Sequence, residues 1–322
     1  MEGGKNVSLI ITTAGKGQKM LYLNNEKAKQ FHTVGTAVAL GKFDGIHLGH
    51  QLLIDGLLEE KKKGNQALVF TFGSAPGNVL HGGTKKNIYT SLEKAFYFEE
   101  LGVDVLLEYP FTKEFAAISP EEFVEECLVK QLGVRAIYVG EDFRFGKGRS
   151  GNVSLLKAFG EQYHFDVHAL QKKTKHGKVI SSTAIRDLLE SHFHAANDML
   201  GNPYFVYGEV VHGKHLGHTI GFPTINQSIP EQKLLPANGV YASRVLIDGK
   251  YYDGISNLGK KPTIDGKHQV GLETYILDFD GNLYGKMVKT ELLFFIRQEE
   301  KFASVEALKE QIQIDVLMRK EM

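Results

Sequence analysis

The sequence has few of the features on which disulfide-linked or membrane proteins depend. Cys127 is the only cysteine among 322 residues, so an internal disulfide is impossible and a reducing compartment is expected. Its helical, apolar setting favours a core residue over a catalytic thiol. No stretch approaches a membrane span, and the apolar run from Val7 to Ile11 is too short and poorly flanked for a signal peptide. We therefore expect a cytoplasmic protein that does not act at a membrane.

An excess of charge of either sign is also missing. The 38 basic residues balance 38 acidic ones, which argues against a broad nucleic-acid footprint and leaves only a local basic pocket for a nucleotide. Internal repeats and low-complexity tracts are absent. With 42% hydrophobic and 24% charged residues, the chain can bury ordinary cores, and its length suggests about two domains.

The stretch from Ala39 to His50 carries the strongest signal for chemistry. Glycines 41, 45 and 49 follow an apolar, strand-like run and precede leucines at helical spacing, an arrangement that lets the backbone approach a polyanion at a helix N-terminus. His47 and His50 lie three residues apart, so both can donate hydrogen bonds to one phosphate group. A chance histidine pair on a solvated loop would be the simpler interpretation of the bare motif, but its position between strand and helix favours phosphate chemistry.

A second cluster, from Ile180 to Arg186, places hydroxyls directly ahead of an apolar helical pattern. Ser182 and Thr183 are typical helix caps, and Arg186 follows about one turn later. On their own these residues are most simply caps and a surface charge. Combined with the histidine motif, they offer hydroxyls, free amides and a guanidinium group to a triphosphate.

The order of these two motifs resembles the nucleotidyltransferase superfamily. Over nearly its whole length the chain is similar to the bacterial bifunctional riboflavin kinase/FAD synthetases, a family whose patterns are matched by Gly140 to Gly146 in the first half and Gly221 to Asn226 in the second. The second of these is specific to the riboflavin kinase module. The resemblance implies small-molecule partners (riboflavin, FMN and ATP), no nucleic acid, and a monomer or weak homo-oligomer.

The spacing of apolar runs agrees with two different folds in series. In the first half, five strand candidates alternate with helical segments, which predicts an α/β, Rossmann-like domain with a parallel sheet. Side chains that follow such strands meet at one edge of the sheet. Those candidates are His47, Phe72, Phe111, Asp142 and Phe145.

The second half reads as short β-rich runs joined by turns, which predicts an antiparallel β-barrel closed by a C-terminal helix from about Ser304 to Arg319. We expect one helix from about Thr183 to Leu200 between the two folds, and a core-facing stripe on the last helix made of Val305, Leu308, Ile312 and Val316. The predicted boundaries are a nucleotidyltransferase-like domain at 1–186, a connecting helix at 187–202 and a riboflavin kinase domain at 203–322.

The barrel segment also carries candidate site residues. Thr224 and Asn226 lie two apart on an extended segment, so their oxygens point the same way, as a magnesium ion bridging ATP phosphates requires. They follow a basic, glycine-rich loop from Gly213 to Gly221, which read alone is equally a polar turn. Glu273 is an acid within an apolar strand, where a buried acid needs a reason. Judged by its residues alone, an outward-facing strand glutamate is at least as plausible.

By resemblance, the candidates take the following roles. Glu273 is the base that accepts the proton of the terminal ribityl hydroxyl of riboflavin, which attacks the γ-phosphate of ATP. In the first half the FMN phosphate attacks the α-phosphate of a second ATP, while catalytic His47, His50, Ser182 and Arg186 position groups and neutralise charge. Nucleotide binding is assigned to Gly41, Phe43, Asp44, Gly45, Gly49, Thr183, Gly213, Lys214, Gly221, Pro223, Thr224 and Asn226. Flavin binding is assigned to Asp142, Phe143, Phe145, Asn257 and Arg297, and Mg²⁺ to Thr224 and Asn226.

Two departures from the family pattern leave alternatives open. Relatives usually carry aspartate, proline, histidine and proline after the second strand, where this chain has the segment Gly73 to Asn78, and commonly asparagine where Lys42 stands. The chain is therefore a bifunctional enzyme making FMN and then FAD, a riboflavin kinase with a silent or repurposed first domain, or a flavin or nucleotide-binding protein without turnover. Glu273 beside Thr224 and Asn226 argues against the last, because binding alone needs no base beside a metal site.

Overall fold

The computed structural model describes residues 8–12, 19–73, 77, 82–175, 177–213, 217, 220–262 and 268–322. The chain divides into two compact units, Met1–Ser181 and Ser182–Met322. Each unit is described by itself.

The first unit is built around a seven-stranded sheet. The strands of this unit are β1 (Ser8–Thr12), β2 (Lys19–Asn24), β3 (Thr36–Leu40), β4 (Gln66–Phe72), β5 (Val105–Tyr109), β6 (Val134–Gly140), β7 (Arg144–Phe145), β8 (Gly151–Asn152), β9 (Asp166–Leu170), β10 (Thr174–Lys175) and β11 (Lys178–Val179). Strands β7 and β8 pair in one small sheet and β10 and β11 in another; the other seven form the main sheet. The sheet order is β1-β2-β5-β4-β3-β6-β9. Only the edge pair β1–β2 is antiparallel. The predicted Rossmann-like fold with a parallel sheet is confirmed, with the β1–β2 edge as an addition that the apolar pattern did not indicate.

Helices accompany the sheet between successive strands. They are α1 (Asn25–Gln30), α2 (Leu48–Lys62), α3 (Ser91–Leu101), α4 (Pro120–Glu122, continuing as a π-helix over Phe123–Gln131) and α5 (Val153–Tyr163). Local signals explain their starts: Thr90 and Glu93 form a capping box at α3, and Pro120 follows the capping Ser119 at α4. The π-helical turns of α4 were not predictable from helical spacing, which fits the α and π forms alike.

The strand order of the first unit creates a preferred site for ligands. Successive strands β3, β4 and β5 run in one direction from β3, whereas β6 and β9 lie on its other side. In such sheets ligands bind beyond the carboxyl ends of the strands, where the order reverses. The loop after β3 contains the histidine motif, and the loop after β6 contains Asp142 to Phe145. The fold therefore brings these two segments to the same edge of the sheet.

The second unit begins with two helices and continues as a closed barrel. Its elements are α6 (Ser182–Ser191), α7 (Phe193–Leu200), β12 (Tyr204–Val211), β13 (Thr224–Ser228), β14 (Gly239–Ile247), β15 (Lys250–Pro262), β16 (His268–Ile276), β17 (Met287–Arg297) and α8 (Val305–Glu321). The barrel order is β12-β13-β16-β15-β14-β17, and every pairing is antiparallel. The predicted antiparallel barrel with a C-terminal helix is confirmed.

One detail of the predicted helices is wrong, and a second is confirmed only in part. The helix expected from Thr183 to Leu200 breaks at His192, whose φ of −141° and ψ of 60° are not helical. The stripe on α8 is confirmed only in part. Val305 is 46% exposed, whereas Leu308, Ile312 and Val316 are half-buried and Val316 packs against a core cluster of the barrel. The buried residues of this helix are Asp315 and Arg319. Arg319 donates to Ser243 O at 3.1 Å and to Asp253 Oδ1 at 2.5 Å. Charged groups thus add to the apolar contact of Val316, and a hydrophobic pattern does not reveal them.

A buried ion pair fixes the carboxyl edge of the sheet in the first unit. Lys94 of α3 lies 3.2 Å from Glu108 of β5, and both side chains are more than nine-tenths buried. Tyr22 Oη and Ser91 Oγ donate to the same carboxylate at 2.5 and 2.7 Å. Burial alone would raise the pKa of Glu108, but Lys94 and these hydrogen bonds outweigh it and lower the pKa. The carboxylate therefore stays charged and fully partnered.

Replacing Lys94 with Met should destabilise the first unit by roughly 3–5 kcal/mol, because a buried carboxylate loses its counter-ion. Urea unfolding followed by circular dichroism measures this change. The double variant Lys94→Met/Glu108→Gln should recover part of the loss. Lys62→Met, which breaks an exposed pair with Glu59, should cost at most about 1 kcal/mol. Equal effects of Lys94→Met and Lys62→Met would contradict this account.

Candidate functional site

The loop after β3 is held in an unusual backbone conformation. Phe43 and Ile46 have φ angles of 48° and 41° although neither is glycine, and Gly45 has a φ of 87°. Phe43 and Ile46 are fully buried, and their packing compensates the strain of the left-handed region. This path delivers His47 to the N-cap of α2, where its Nδ1 accepts a hydrogen bond from His50 N at 3.3 Å. The loop backbone and the N-cap hydrogen bond thus position the two imidazoles.

The two histidines form a stacked pair. Their ring centroids are 3.7 Å apart with planes inclined by 15°. Burial lowers the pKa of His47 to about 4, and burial together with His47 lowers the pKa of His50 well below its usual value. His50 Nδ1 is buried with no hydrogen-bond partner among the described residues. Both rings are therefore neutral at pH 7, and each has one N–H to donate.

The other residues predicted to bind nucleotide in this loop shape it. The ring of Phe43 lies 5.1 Å from the His50 ring, and a Cβ at Gly41 would stand 3.1 Å from the Phe43 ring. A Cβ at Gly49 would stand 3.2 Å from His47 Nδ1. Asp44 Oδ1 accepts a hydrogen bond from Ile88 N at 2.7 Å, which ties the loop to the segment before α3.

The loop after β6 presents the predicted flavin residues unequally. Asp142 is exposed and forms a 2.8 Å ion pair with Lys172, which lowers the pKa of the carboxyl. The rings of Phe143 and Phe145 stack at 5.7 Å, but Phe145 is buried whereas Phe143 is half-buried. Phe143 is thus the more accessible ring for an aromatic ligand.

The two predicted aromatic residues from β4 and the segment after β5 also meet. Phe72 and Phe111 have ring centroids 5.0 Å apart. A continuous series of ring contacts runs from Phe72 to Phe145 through Phe115 and Phe123. The expected convergence of these aromatic residues is observed, and His47 is not a member of this series. Residues 74–76 and 78–81, which include most of the segment departing from the family pattern, lie outside the described residues.

The hydroxyl cluster begins α6 of the second unit. Ser182 is its first residue, and Ile185 and Leu189 are its buried residues. Thr183 is exposed, while Ser182 and Arg186 are half-buried. The predicted helix start is confirmed, and the assignment of these three polar residues to ATP stays a prediction.

In the barrel, the candidate residues form one row across neighbouring strands. Asn226 of β13 pairs directly with Glu273 of β16, which pairs directly with Asn257 of β15. Directly opposed residues project from the same face with Cβ atoms about 5 Å apart. Leu272 and Thr274, on either side of Glu273, are fully buried, so the row projects from the other face. We call Asn226, Glu273 and Asn257 the polar row.

Glu273 is half-buried and faces away from the barrel interior. This is the outward-facing orientation that the sequence left open as an alternative to a buried acid. Thr224, two residues before Asn226, extends the row, with its Oγ1 3.4 Å from Glu273 Oε1. A Cβ at Gly213 would stand 2.3 Å from Asn226 Nδ2, so the first residue of the glycine-rich loop lies on the polar row and has no room for a side chain. Gly221 has a φ of 87°, and Pro223 is exposed. Lys214 lies outside the described residues.

The chemistry of this donor set fits a hard cation. Thr224, Asn226 and Glu273 offer hydroxyl, amide and carboxylate oxygens side by side, and Mg²⁺ prefers such oxygens with the rest of its shell from phosphates and water. No cluster of three His, Cys, Asp or Glu side chains suited to a metal occurs in the part of the chain that the structure describes. A resident, all-protein metal site is thus not seen there, whereas a magnesium bound together with ATP phosphates fits.

The guanidinium of Arg297, at the end of β17, already forms ion pairs within the protein. This residue aligns with Val240, which aligns with Asn257. Its Nη2 lies 2.8 Å from Asp315 Oδ2 of α8, and its Nη1 lies 3.1 Å from Glu300 Oε1. The guanidinium also stands over the ring of Phe302 at 5.6 Å. The structure thus gives Arg297 an anchoring role at the edge of the polar row.

One residue beside the polar row escaped prediction. Glu299 Oε1 accepts a hydrogen bond from Asn257 Nδ2 at 3.1 Å across 42 positions of sequence. Glu299 stands in a polar run at 297–301, a pattern typical of a solvated turn. Only the three-dimensional structure shows that this carboxylate contacts Asn257 of the polar row.

Comparison with known proteins identifies both halves of the chain. The family model described as FAD synthetase matches residues 29–184, and the model described as riboflavin kinase matches residues 200–322. The bifunctional riboflavin kinase/FMN adenylyltransferase of Escherichia coli K12 is 40% identical over 291 residues, covering 89% of this chain and 92% of the relative. The enzyme of the same name from Listeria monocytogenes is 36% identical and covers 92% and 96%.

A solved structure is similar to this chain over most of its length. The crystal structure of a Streptococcus pneumoniae protein described as a macrolide-efflux protein is 30% identical, with a TM-score of 0.80, and covers 94% of this chain and 99% of that chain. Among the described residues here, no helix has the length and apolar character needed to cross a bilayer.

These matches confirm the predicted pair of activities. Both catalytic domains are present, and the matched relatives carry both names, so the alternatives of a kinase alone and of a binding protein are not favoured. Because relatives that are 36–40% identical align with about nine-tenths of the sequence, the chain belongs to the bifunctional riboflavin kinase/FMN adenylyltransferase family.

Proposed function

We propose that riboflavin is phosphorylated at the polar row of the barrel, with Glu273 as general base. The observation that carries this proposal is the direct pairing of Asn226, Glu273 and Asn257 on one face, with Thr224 Oγ1 3.4 Å from the Glu273 carboxylate. Glu273 accepts the proton of the terminal ribityl hydroxyl, whose oxygen attacks the γ-phosphorus of ATP in line, and ADP leaves. The products are FMN and ADP.

The nucleotide lies on the side of the row formed by Thr224 and Asn226. The tight approach of Gly213 to Asn226 supports a loop that brings backbone N–H groups to the phosphates. Lys214 and Gly221 belong to the same loop by sequence, and Pro223 directly precedes β13. Thr224 and Asn226 would hold Mg²⁺, which when bound neutralises charge on the β- and γ-phosphates. Flavin lies on the side of Asn257, and Arg297 fixes the end of β17 beside it.

Adenylyl transfer is proposed for the first unit at the carboxyl edge of its sheet. The FMN phosphate attacks the α-phosphorus of ATP and pyrophosphate leaves, with no covalent intermediate on the protein. His47 and His50 donate hydrogen bonds from neutral rings as charge grows on the leaving group, and Gly41, Phe43, Asp44, Gly45 and Gly49 shape the phosphate loop. Phe143 holds the flavin ring, with Phe145 and Asp142 supporting its loop. Ser182, Thr183 and Arg186 are proposed to bind ATP phosphates from the first turns of α6.

The enzyme is further proposed to act on small molecules without a nucleic-acid partner, as a monomer or weak homo-oligomer of the cytoplasm. The balanced charge of the chain supports a function without a nucleic-acid partner. A reducing compartment is supported by Cys127, which is the only cysteine of the sequence and so cannot form an internal disulfide.

Glu273→Gln should abolish FMN formation while sparing FAD formation from FMN. Removing a general base typically costs about 10²–10⁴-fold in rate, whereas the first unit keeps its residues unchanged. Chromatography of flavins measures both activities in separate incubations starting from riboflavin or from FMN, each with ATP and magnesium. Asp278→Asn is the matched control, because Asp278 is exposed just after β16 with a φ of 54° that asparagine tolerates. Kinase activity of Glu273→Gln within threefold of the unchanged enzyme would refute the assignment.

The neutral histidine pair should make the first unit lose stability below pH 6.5. A histidine with a pKa of about 4 when folded and about 6.5 when unfolded binds fewer protons in the folded state, so stability falls as pH drops through this window. For His47 the loss between pH 7 and pH 5 is about 2 kcal/mol, and His50 acts in the same direction.

Urea unfolding at both pH values measures this change. His50→Gln should reduce the pH dependence and also slow FAD formation, whereas the exposed-site control His164→Asn should leave both unchanged. An identical pH dependence in His50→Gln and the unchanged enzyme would show that the pair is not held neutral by burial.

A further inference from the structure

The side-chain amide of Asn257 is satisfied at one end only. Its Nδ2 donates to Glu299 Oε1 at 3.1 Å. Its Oδ1 is buried and has no hydrogen-bond partner among the described residues. Buried acceptors are nearly always paired in native proteins, so an unpaired one needs an explanation. A ligand that brings a donor is the explanation that its position suggests, because Asn257 belongs to the polar row.

Glu299 decides which end of the amide faces the ligand. A carboxylate only accepts hydrogen bonds, so it binds the NH₂ end of the amide and turns Oδ1 away from itself. The site is shaped to admit this carboxylate: a Cβ at Gly259 would stand 2.0 Å from Glu299 Oε1. Gly259 lies two residues after Asn257, on the same face of β15. Any larger residue at 259 would displace Glu299 from the amide.

The location of Asn257 Oδ1 specifies the kind of donor. Asn257 is directly opposite Glu273, and neighbouring strands are about 4.8 Å apart. In the proposed kinase reaction Glu273 meets the terminal hydroxyl of the ribityl chain. An acceptor one strand away is within reach of the next hydroxyls along that chain, which are donors at the right spacing. The isoalloxazine ring is farther from the reacting end of the substrate.

We propose that Asn257 Oδ1 accepts a hydrogen bond from a ribityl hydroxyl of riboflavin, and that Glu299 is the positioning residue that holds the amide in this orientation. This inference rests on the proposed kinase site at the polar row. Glu273 alone would recognise only the terminal hydroxyl of the ribityl chain. Asn257 would add recognition of a second hydroxyl of the same chain.

The first test is Glu299→Gln, in which the amide of residue 299 can either donate or accept. Asn257 is then free to turn its NH₂ end toward the ligand, and riboflavin should bind about tenfold more weakly, as expected for one lost hydrogen bond. Quenching of riboflavin fluorescence measures the Kd in the absence of ATP. The KM for ATP should be unchanged, and Glu310→Gln, which alters an exposed residue of α8, should change neither value.

The second test exchanges the acid and the amide. Asn257→Asp alone places two carboxylates together and should weaken riboflavin binding more than Glu299→Gln does. The double variant Asn257→Asp/Glu299→Gln restores a donor at 299 and an acceptor facing the ligand, so the riboflavin Kd should return to within about threefold of the unchanged enzyme. Thermal unfolding of all variants shows whether the barrel remains folded.

Lumiflavin, which has the ring system but no ribityl chain, separates the two parts of the substrate. Its Ki as a competitor of riboflavin should be the same in Glu299→Gln and in the unchanged enzyme. An equal loss for lumiflavin and riboflavin would place the acceptor against the ring and overturn the proposal. An unchanged riboflavin Kd in Glu299→Gln, or a double variant no better than Asn257→Asp, would overturn it as well. These binding measurements keep Glu273 intact, so they stand or fall independently of its role as base.

Discussion

The pairing register of the barrel strands is the constraint on which the proposed kinase site depends. A slip of one residue in β16 would turn Glu273 inward and Thr274 outward. Buried polar groups inside the barrel oppose such a slip: Ser256 Oγ bonds to Ser243 Oγ at 2.8 Å and to Thr274 Oγ1 at 2.7 Å. Each of these hydrogen bonds exists in one register only, and losing it would leave a buried hydroxyl unpaired. The chemistry on the outer face is thus fixed by polar contacts on the inner one.

In the first unit, backbone conformation rather than strand register positions the candidate catalytic side chains. The paired histidines of this unit follow a loop in which buried Phe43 and Ile46 hold left-handed φ angles. Because the aromatic and apolar packing determines this path, the imidazoles are oriented before any ligand arrives. Their burial has an electrostatic consequence as well, since it keeps both rings neutral. Strand register therefore positions the candidate catalytic groups of the barrel, and a strained turn positions those of the first unit.

Local patterns predicted what local physics determines. The strand, glycine turn and helix around His47, the helix start at Ser182 and the antiparallel barrel all follow from residue spacing within short windows. The break at His192, the π-helical turns of α4 and the charged attachment of α8 do not, because tertiary contacts decide them. The pair Asn257 and Glu299 shows the limit most clearly. Their contact spans 42 positions and depends on how β15 and β17 align through β14, which no single segment encodes.

The anchoring of Arg297 connects the C-terminal helix to the substrate side of the barrel. Its guanidinium is held by Asp315 of α8 and by Glu300, so its donors are engaged within the protein. Glu299 lies two residues further along the chain, at the Asn257 amide. Fixing Arg297 therefore fixes the segment that carries Glu299, and through it the acceptor of Asn257. Under the role proposed for Glu299, Arg297 would act on flavin binding through the position of Glu299, and the buried Asp315 would link α8 to the proposed flavin side of the polar row.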